Sequence, residues 1–255
     1  MATNSDKKLM ILLSNHVAGT VLLASWLEKK GFSRDLQQYY LKSGWLESYG
    51  FGAFKRPNEN VHWIGALNSL QRQAELPVHA GGLTSISLQG LSHYIRIEQK
   101  SLYLFSPLYV KLPKWFLEQE WSSQIIHVKT KFLPTTLALT DYPVDGLNIK
   151  ISSPERAILE CLFLAPDRFD ILDCYQIFEG LVNLRPKLLQ ELLENCNSIK
   201  VKRLFLYMAS KAGHQWLDFI DQSGVDLGTG DRVIVKGGVY VSRYKISVPK
   251  ELYAQ

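Results

Sequence analysis

The 255-residue chain has no apolar run approaching the roughly 20 residues that span a bilayer. Its first residues, Met1 to Lys8, are polar, and the apolar run behind them is too short for a secretory leader. A cytoplasmic protein with no membrane partner is therefore expected. The motifs that usually announce chemistry are missing too: HExxH, GxSxG, a Walker lysine and paired CxxC. Cysteine is scarce, and Cys161, Cys174 and Cys196 are too widely spaced for a metal knuckle. An odd number of thiols reads as packing residues in a reducing compartment. The six histidines are scattered, so neither a metal nor a cofactor is expected. Charged residues at 21% beside 46% hydrophobic ones exclude global disorder and allow one large core or two smaller ones.

What is present is a mild basic excess, +5 overall, concentrated near the two ends. Residues 1–65 carry eight Lys/Arg against five Asp/Glu, and residues 196–245 carry eight against four. That distribution suits a polyanion such as nucleic acid.

Leu9, Leu12, Leu13 and Val17 follow helical spacing, and so do Leu22, Leu23, Trp26 and Leu27, with Thr20 as a cap for the second helix. Lys29-Lys30-Gly31 closes that helix, since lysines favour the negative end of the dipole and glycine takes the left-handed cap. Ser33 then opens the next helix, with Asp35 in its first turn, and Gly44 ends it. A short glycine turn between amphipathic helices is the pattern of a helix-turn-helix. Leu36 and Tyr40 should pack inward with Trp26 and Trp45. Arg34, Gln37, Gln38 and Lys42 then face outward beside Ser33, residue types that meet base edges and phosphates in a major groove. Trp45 to Tyr49 and Ala53 to Arg56 read as two strands around the glycines at 50 and 52, ended by Pro57. This hairpin would be a wing, with Lys55 and Arg56 against phosphate. The two glycines are not a nucleotide loop, because no strand-loop-helix context follows.

Trp63 to Ala74 reads as a helix bridging two domains. His79-Ala80-Gly81-Gly82 leads into a helix capped by Thr84, where tight helix–strand packing is favoured over phosphate binding. Tyr94–Ile97, Leu102–Phe105, Ile125–Val128 and Leu147–Ile151 read as strands, separated by Pro107, Pro113, Pro134 and Pro143. Ser153-Pro154-Glu155 is a sharp helix start, in which Glu155 and Arg156 are better explained by capping and packing than by catalysis. Further helices are expected at Ile171 to Glu179 and from Leu188 to Cys196. Lys200, Lys202 and Arg203 open a basic amphipathic helix that suits nucleic acid, an acidic partner or a solvated face. Asp231 to Val241 reads as a hairpin through Gly237-Gly238, and Arg232, Lys236, Arg243 and Lys245 would extend a basic patch. Asp218, Asp221, Asp226 and Asp231 are the best acidic candidates for chemistry, though capping of helices and turns explains them as well.

The order of several short motifs resembles the AbiEi antitoxins of type IV toxin–antitoxin systems. They are Ser25-Trp26-Leu27 through Gly31-Phe32-Ser33, Tyr40 to Glu47, Gly52-Ala53-Phe54, and Gly65-Ala66-Leu67 with Leu70-Gln71. His79 to Gly82, Ser152 to Ala157, Leu184-Arg185-Pro186, Lys200 to Leu206 and Asp226-Leu227-Gly228 complete the series. One departure is Phe54, where the resemblance leads one to expect tyrosine. The resemblance implies a non-enzymatic repressor of its own operon that binds double-stranded operator DNA, often as inverted repeats. It also implies antagonism of a nucleotidyltransferase-like toxin, without a stable complex being required. The expected architecture is α+β: a winged helix-turn-helix domain over residues 1–75, then a mixed α/β antitoxin domain over residues 76–255 with a small antiparallel or mixed sheet. The competing reading is a nucleic-acid-processing enzyme, or a module that binds RNA or toxin through the basic C-terminal face.

Overall fold

The computed structural model describes residues 4–91 and 101–254. Helix α1 (Asn4–Asn15) turns Leu9 and Leu12 inward. Leu22 and Leu23 then form strand β1 (Leu22–Leu23) instead of the helix start that their spacing suggested, because they pair antiparallel with Phe54 and Ala53. Helix α2 (Ala24–Lys29) follows with Leu23 at its N-cap and no side-chain cap. The expected cap, Thr20, donates its hydroxyl back to Val17 O at 2.7 Å.

The end of α2 is a paired glycine closure. Gly31 stands at φ +86, its N–H donates to Glu28 O, and the Phe32 N–H donates to Leu27 O, which satisfies carbonyls that the helix leaves open. Helix α3 (Arg34–Lys42) begins at Ser33, whose Oγ accepts from the Leu36 N–H, with Asp35 in the first turn. Gly44 repeats the closure, with bonds from Gly44 N–H to Leu41 O and from Trp45 N–H to Tyr40 O. Strands β2 (Glu47–Gly50) and β3 (Ala53–Lys55) form the hairpin, and β1 completes a three-stranded antiparallel sheet in the order β1-β3-β2. This is a winged helix-turn-helix. Helix α4 (Trp63–Arg72) steadies it: the Val21 N–H donates to Ser69 Oγ at 2.9 Å, and the Leu23 N–H to Gln73 Oε1 at 2.8 Å. A Cβ at Gly65 would lie 1.9 Å from Gly19 O, so this close approach needs glycine.

The chain continues through β4 (His79–Ala80), α5 (Gly82–Leu88), β5 (Ser101–Ser106), α6 (Lys114–Leu117), β6 (Gln124–Lys129), β7 (Leu139–Val144) and β8 (Leu147–Ser152). The strands among these order as β6-β5-β4-β8-β7, and β4 runs parallel to β8 through Ala80 and Ile151, so the sheet is mixed. The strand expected at Tyr94–Ile97 lies outside the described residues. Strand β7 was not expected, because Pro143 falls inside it. It ends the sheet order, where the missing N–H of proline forfeits no ladder bond. At α5 the N-cap is Gly81, not Thr84; Thr84 Oγ1 accepts from the Tyr103 N–H at 2.8 Å.

Four helices follow: α7 (Pro154–Leu164), α8 (Ile171–Gly180), α9 (Pro186–Glu194) and α10 (Ile199–Ala212). The chain then adds β9 (Arg232–Val233), β10 (Val239–Val241), β11 (Ile246–Val248) and α11 (Lys250–Ala254). The expected hairpin through Gly237-Gly238 is not formed. β11 lies between the other two strands, antiparallel to β10 and parallel to β9, and takes the pairing that a hairpin would have used.

The described chain divides into two compact units: residues 1–79, 109–125 and 141–150, and residues 80–108, 126–140 and 151–255. The core of the first gathers Leu9, Leu12, Leu22, Leu27, Phe32, Tyr40, Leu46 and Phe54. The core of the second surrounds α7, whose residues are buried on nearly every side. All three cysteines are free and buried, as packing thiols should be. No helix among the described residues is long and apolar enough to cross a membrane.

Candidate nucleic-acid interface

The two glycine closures fix where α3 begins and ends, and its apolar positions fix how it turns. Tyr40 is buried and Leu36 packs against the first core, so Arg34, Gln38 and Lys42 stand exposed on the other side. Trp26 is half-buried against that core, whereas Trp45 is exposed at 45% and Leu46 fills the core position expected for it.

Gln37 corrects the expected face. It is only 2% exposed, and its Nε2 donates to Phe32 O at 2.8 Å and to Ala24 O at 3.1 Å. A helix residue one place from the outward ridge can still point at the preceding turn, where the carbonyls of Ala24 and Phe32 offer acceptors. Gln37 thus ties α3 to the start of α2 and holds the angle between the two helices.

Arg34 has 85% of its side chain open, and it pairs with Glu28 on α2. The hydrogen bond to Glu28 and its charge raise the guanidinium further above its ordinary range. Gln38 and Lys42 make no side-chain hydrogen bond or ion pair among the described residues. Ser33 is exposed, and its hydroxyl serves as the helix cap.

The wing is built on glycine. Gly50 has φ +127, and a Cβ there would meet Trp115 Cβ at 2.8 Å; Gly52 has φ +70. Tyr49 lies 6.3 Å from the Trp115 ring, and Gln119 Nε2 donates to Tyr49 O at 3.2 Å. Phe51 at the tip is 92% exposed. Lys55 ends β3 and is held by Glu47 at 3.4 Å and by Glu59 O at 3.1 Å. Arg56 lies just past the strand, 3.7 Å from Glu59. Both wing cations therefore face acids of the same unit. Glu59 is gathered here by His16 at 2.8 Å and the Gly19 N–H at 3.2 Å. Burial alone would raise the Glu59 carboxyl, but these bonds hold it below its ordinary range.

Helix α3, the start of α2, the wing and the segment from Lys111 to Trp115 enclose an open cleft of about 980 Å³, with Arg34, Gln38 and Lys111 on its wall. Lys111 was not anticipated. It stands more than fifty residues beyond the wing, and no local pattern in Lys111-Leu112-Pro113-Lys114 links it to this cleft.

The basic residues near the C-terminus do not form one patch. Arg203 is 1% exposed and spends its guanidinium on four carbonyls: Leu227 O at 2.8 Å, Gly230 O at 2.7 Å, Lys245 O at 3.0 Å and Gly228 O at 3.2 Å. Lys202 is buried as well. Both leave the candidate surface, because α10 is surrounded by core and its cations serve packing. Lys200 is half-buried, and its ammonium donates to Phe163 O at 2.8 Å and Ala165 O at 2.6 Å. Arg232, Lys236, Arg243 and Lys245 are exposed.

Two buried acids are likewise structural. Glu160 accepts from Arg156 Nε at 2.8 Å, Ser152 Oγ at 2.7 Å and the Gly82 N–H at 2.8 Å. Arg156 Nη1 also donates to Pro134 O and Leu137 O. Glu155 forms a forked pair with Arg185 at 2.9 and 3.0 Å. Burial would raise Glu155, but that pair and the Arg185 N–H hold its carboxyl below the usual range. Asp221, Asp226 and Asp231 accept from the Ser223 N–H, the Gly228 N–H and the Tyr240 hydroxyl. No group of three or more His, Cys, Asp or Glu residues among the described ones is arranged to hold a metal ion.

Two family models match the chain. One, described as the N-terminal domain of the AbiEi antitoxin transcriptional regulator, matches residues 5–97. The other, described as the transcriptional regulator and AbiEi antitoxin of a type IV toxin–antitoxin system, matches residues 99–249. Among curated proteins no relative matches. Among solved structures, the RV2827C protein from Mycobacterium tuberculosis is similar with a TM-score of 0.59, over 95% of this chain and 90% of that one. At 14% identity this likeness is one of fold.

Proposed function

The chain belongs to the AbiEi antitoxin family of type IV toxin–antitoxin systems, a family of transcriptional regulators, and from that premise we propose that it represses its own operon by binding operator DNA through α3 and the wing. The observation that carries this reading is the outward ridge of Arg34, Gln38 and Lys42 on a nine-residue helix, set by a glycine-closed turn and flanked by a hairpin. Arginine and lysine meet guanine edges or phosphates, and glutamine pairs with adenine, each good pair being worth about 1–3 kcal/mol of discrimination. Ser33 presents the N-terminal end of the same helix to a phosphate. Lys55 and Arg56 approach the backbone only by exchanging Glu47 and Glu59 for phosphate, and Arg34 by releasing Glu28. The partner is thus double-stranded DNA, with paired inverted half-sites as the arrangement that two copies would read.

The second half of the reading is antitoxicity against a nucleotidyltransferase-like toxin encoded alongside. The absence of the usual catalytic motifs from the sequence, together with the structural use of Glu155, Glu160 and Arg156, favours a binder over an enzyme.

A reporter placed behind the chain's own upstream region tests the first half. Expression of the protein lowers reporter output, and Arg34→Ala with Gln38→Ala restores it at equal protein level. Output unaffected by the wild-type protein contradicts the reading. Co-expression with the neighbouring toxin gene tests the second half: growth is rescued under this reading, and unrelieved toxicity counts against it.

A further inference from the structure

A second charged concavity lies wholly within the unit built around α7. His127 and Lys129 project from the same side of β6, being two residues apart on a strand. Opposite them stand Phe163 at the end of α7, Asp167 and Arg168 beyond it, and Lys200 in the first turn of α10. Together they line an open cleft of about 580 Å³, within the range of small-ligand sites.

Three cations meet one carboxylate there, and none of the three is neutralised. Lys129 and Arg168 are exposed, and their side chains form no hydrogen bond or ion pair among the described residues. Lys200 is half-buried over the Phe163 ring, 5.8 Å from its centroid, and its ammonium has two carbonyl acceptors but no ion pair. Burial lowers its proton affinity, and Asp167 offsets only part of that. The His127 ring bonds Ser106 Oγ at 2.7 Å, and burial with the nearby Lys129 lowers its pKa to about 4, which keeps it neutral. A half-buried ammonium that lines one cleft with two unpaired cations favours an anion there. Lys200 keeps a third N–H, Arg168 carries a planar fork and Lys129 a mobile point charge, donors of the kind that bind phosphoryl oxygens.

We propose that this cleft binds a small phosphate-bearing ligand, held by Lys129, Arg168 and Lys200, at a site separate from α3 and the wing. A concave site with a half-buried ammonium suits a terminal phosphate better than a duplex, whose backbone is met by protruding side chains. The site does not depend on the operator reading, and its failure would leave that reading intact.

Calorimetric titration of the full chain with inorganic phosphate, with ATP and with a short random duplex tests it, with the His127 ring followed by NMR. Phosphate and ATP should each bind saturably, with the His127 titration moving upward as the anion arrives. Tighter binding of ATP identifies a nucleotide as the ligand class, and equal affinity identifies the phosphoryl group alone. Lys129→Gln and Arg168→Gln, both at exposed positions, should each weaken binding by about tenfold, and Lys200→Gln should do so at least as strongly if it folds. Absence of binding by both small ligands overturns the proposal. So does unchanged affinity in both exposed variants, or a response to the duplex alone.

Discussion

Helices α3 and α10 both open with clustered basic and polar side chains, yet they spend them in opposite ways. On α3 the apolar residues keep to one stripe, so Arg34, Gln38 and Lys42 remain outside. On α10 apolar residues stand on every side, with Val201, Leu204, Phe205, Leu206 and Met208 all buried. Lys202 and Arg203 are carried inward with them, and Arg203 becomes the donor that closes the loop from Leu227 to Gly230. A count of positive charge treats the two helices alike. The width of the apolar stripe separates an exposed polar ridge from a strut that holds a fold.

The contrast gives a ranked set of expected effects. Arg203→Ala leaves several buried carbonyls without a donor and should cost about 3–5 kcal/mol in urea unfolding, whereas Arg34→Ala should stay within about 0.5 kcal/mol. Equal losses at the two sites would erase the distinction. Within α3, Gln37→Ala should cost about 1–3 kcal/mol, because Ala24 O and Phe32 O lose their shared donor, while its neighbour Gln38→Ala should be silent in stability. The forked pair of Glu155 and Arg185 should be worth about 1–2 kcal/mol at neutral pH. Its folded carboxyl lies below the unfolded value, so that stability is present above the ordinary glutamate range and is lost as pH falls through the depressed one. An acid unfolding limb unchanged in Glu155→Gln would refute this. The smallest effect belongs to the wing: Lys55→Ala and Arg56→Ala should each flatten the salt dependence of DNA binding by at most about one unit of log–log slope. Both cations are already held by Glu47 and Glu59.

Much of the first unit was legible because its signals are local. Gly31, Ser33 and Gly44 each act on a backbone bond within a few residues, and the helix and its caps follow from them, as the hairpin follows from Gly50 and Gly52. What was illegible depended on distant partners. Leu22 and Leu23 look helical until Phe54 and Ala53 arrive to pair with them. β11 takes the partners that Gly237-Gly238 would have joined. Gln37 looks like a surface residue until the carbonyls of Ala24 and Phe32 are placed beside it. The candidate interface shows the same division: the ridge on α3 is written in one helix, while Lys111 reaches the cleft wall from a separate stretch.

Competition anisotropy between operator and random duplex, for the wild type and for Arg34→Ala with Gln38→Ala, bears most directly on the ridge of α3. The ratio of affinities should fall by at least about tenfold in the double variant, with its unfolding midpoint unchanged. An undiminished ratio in a folded double variant would contradict the assignment of DNA reading to that helix.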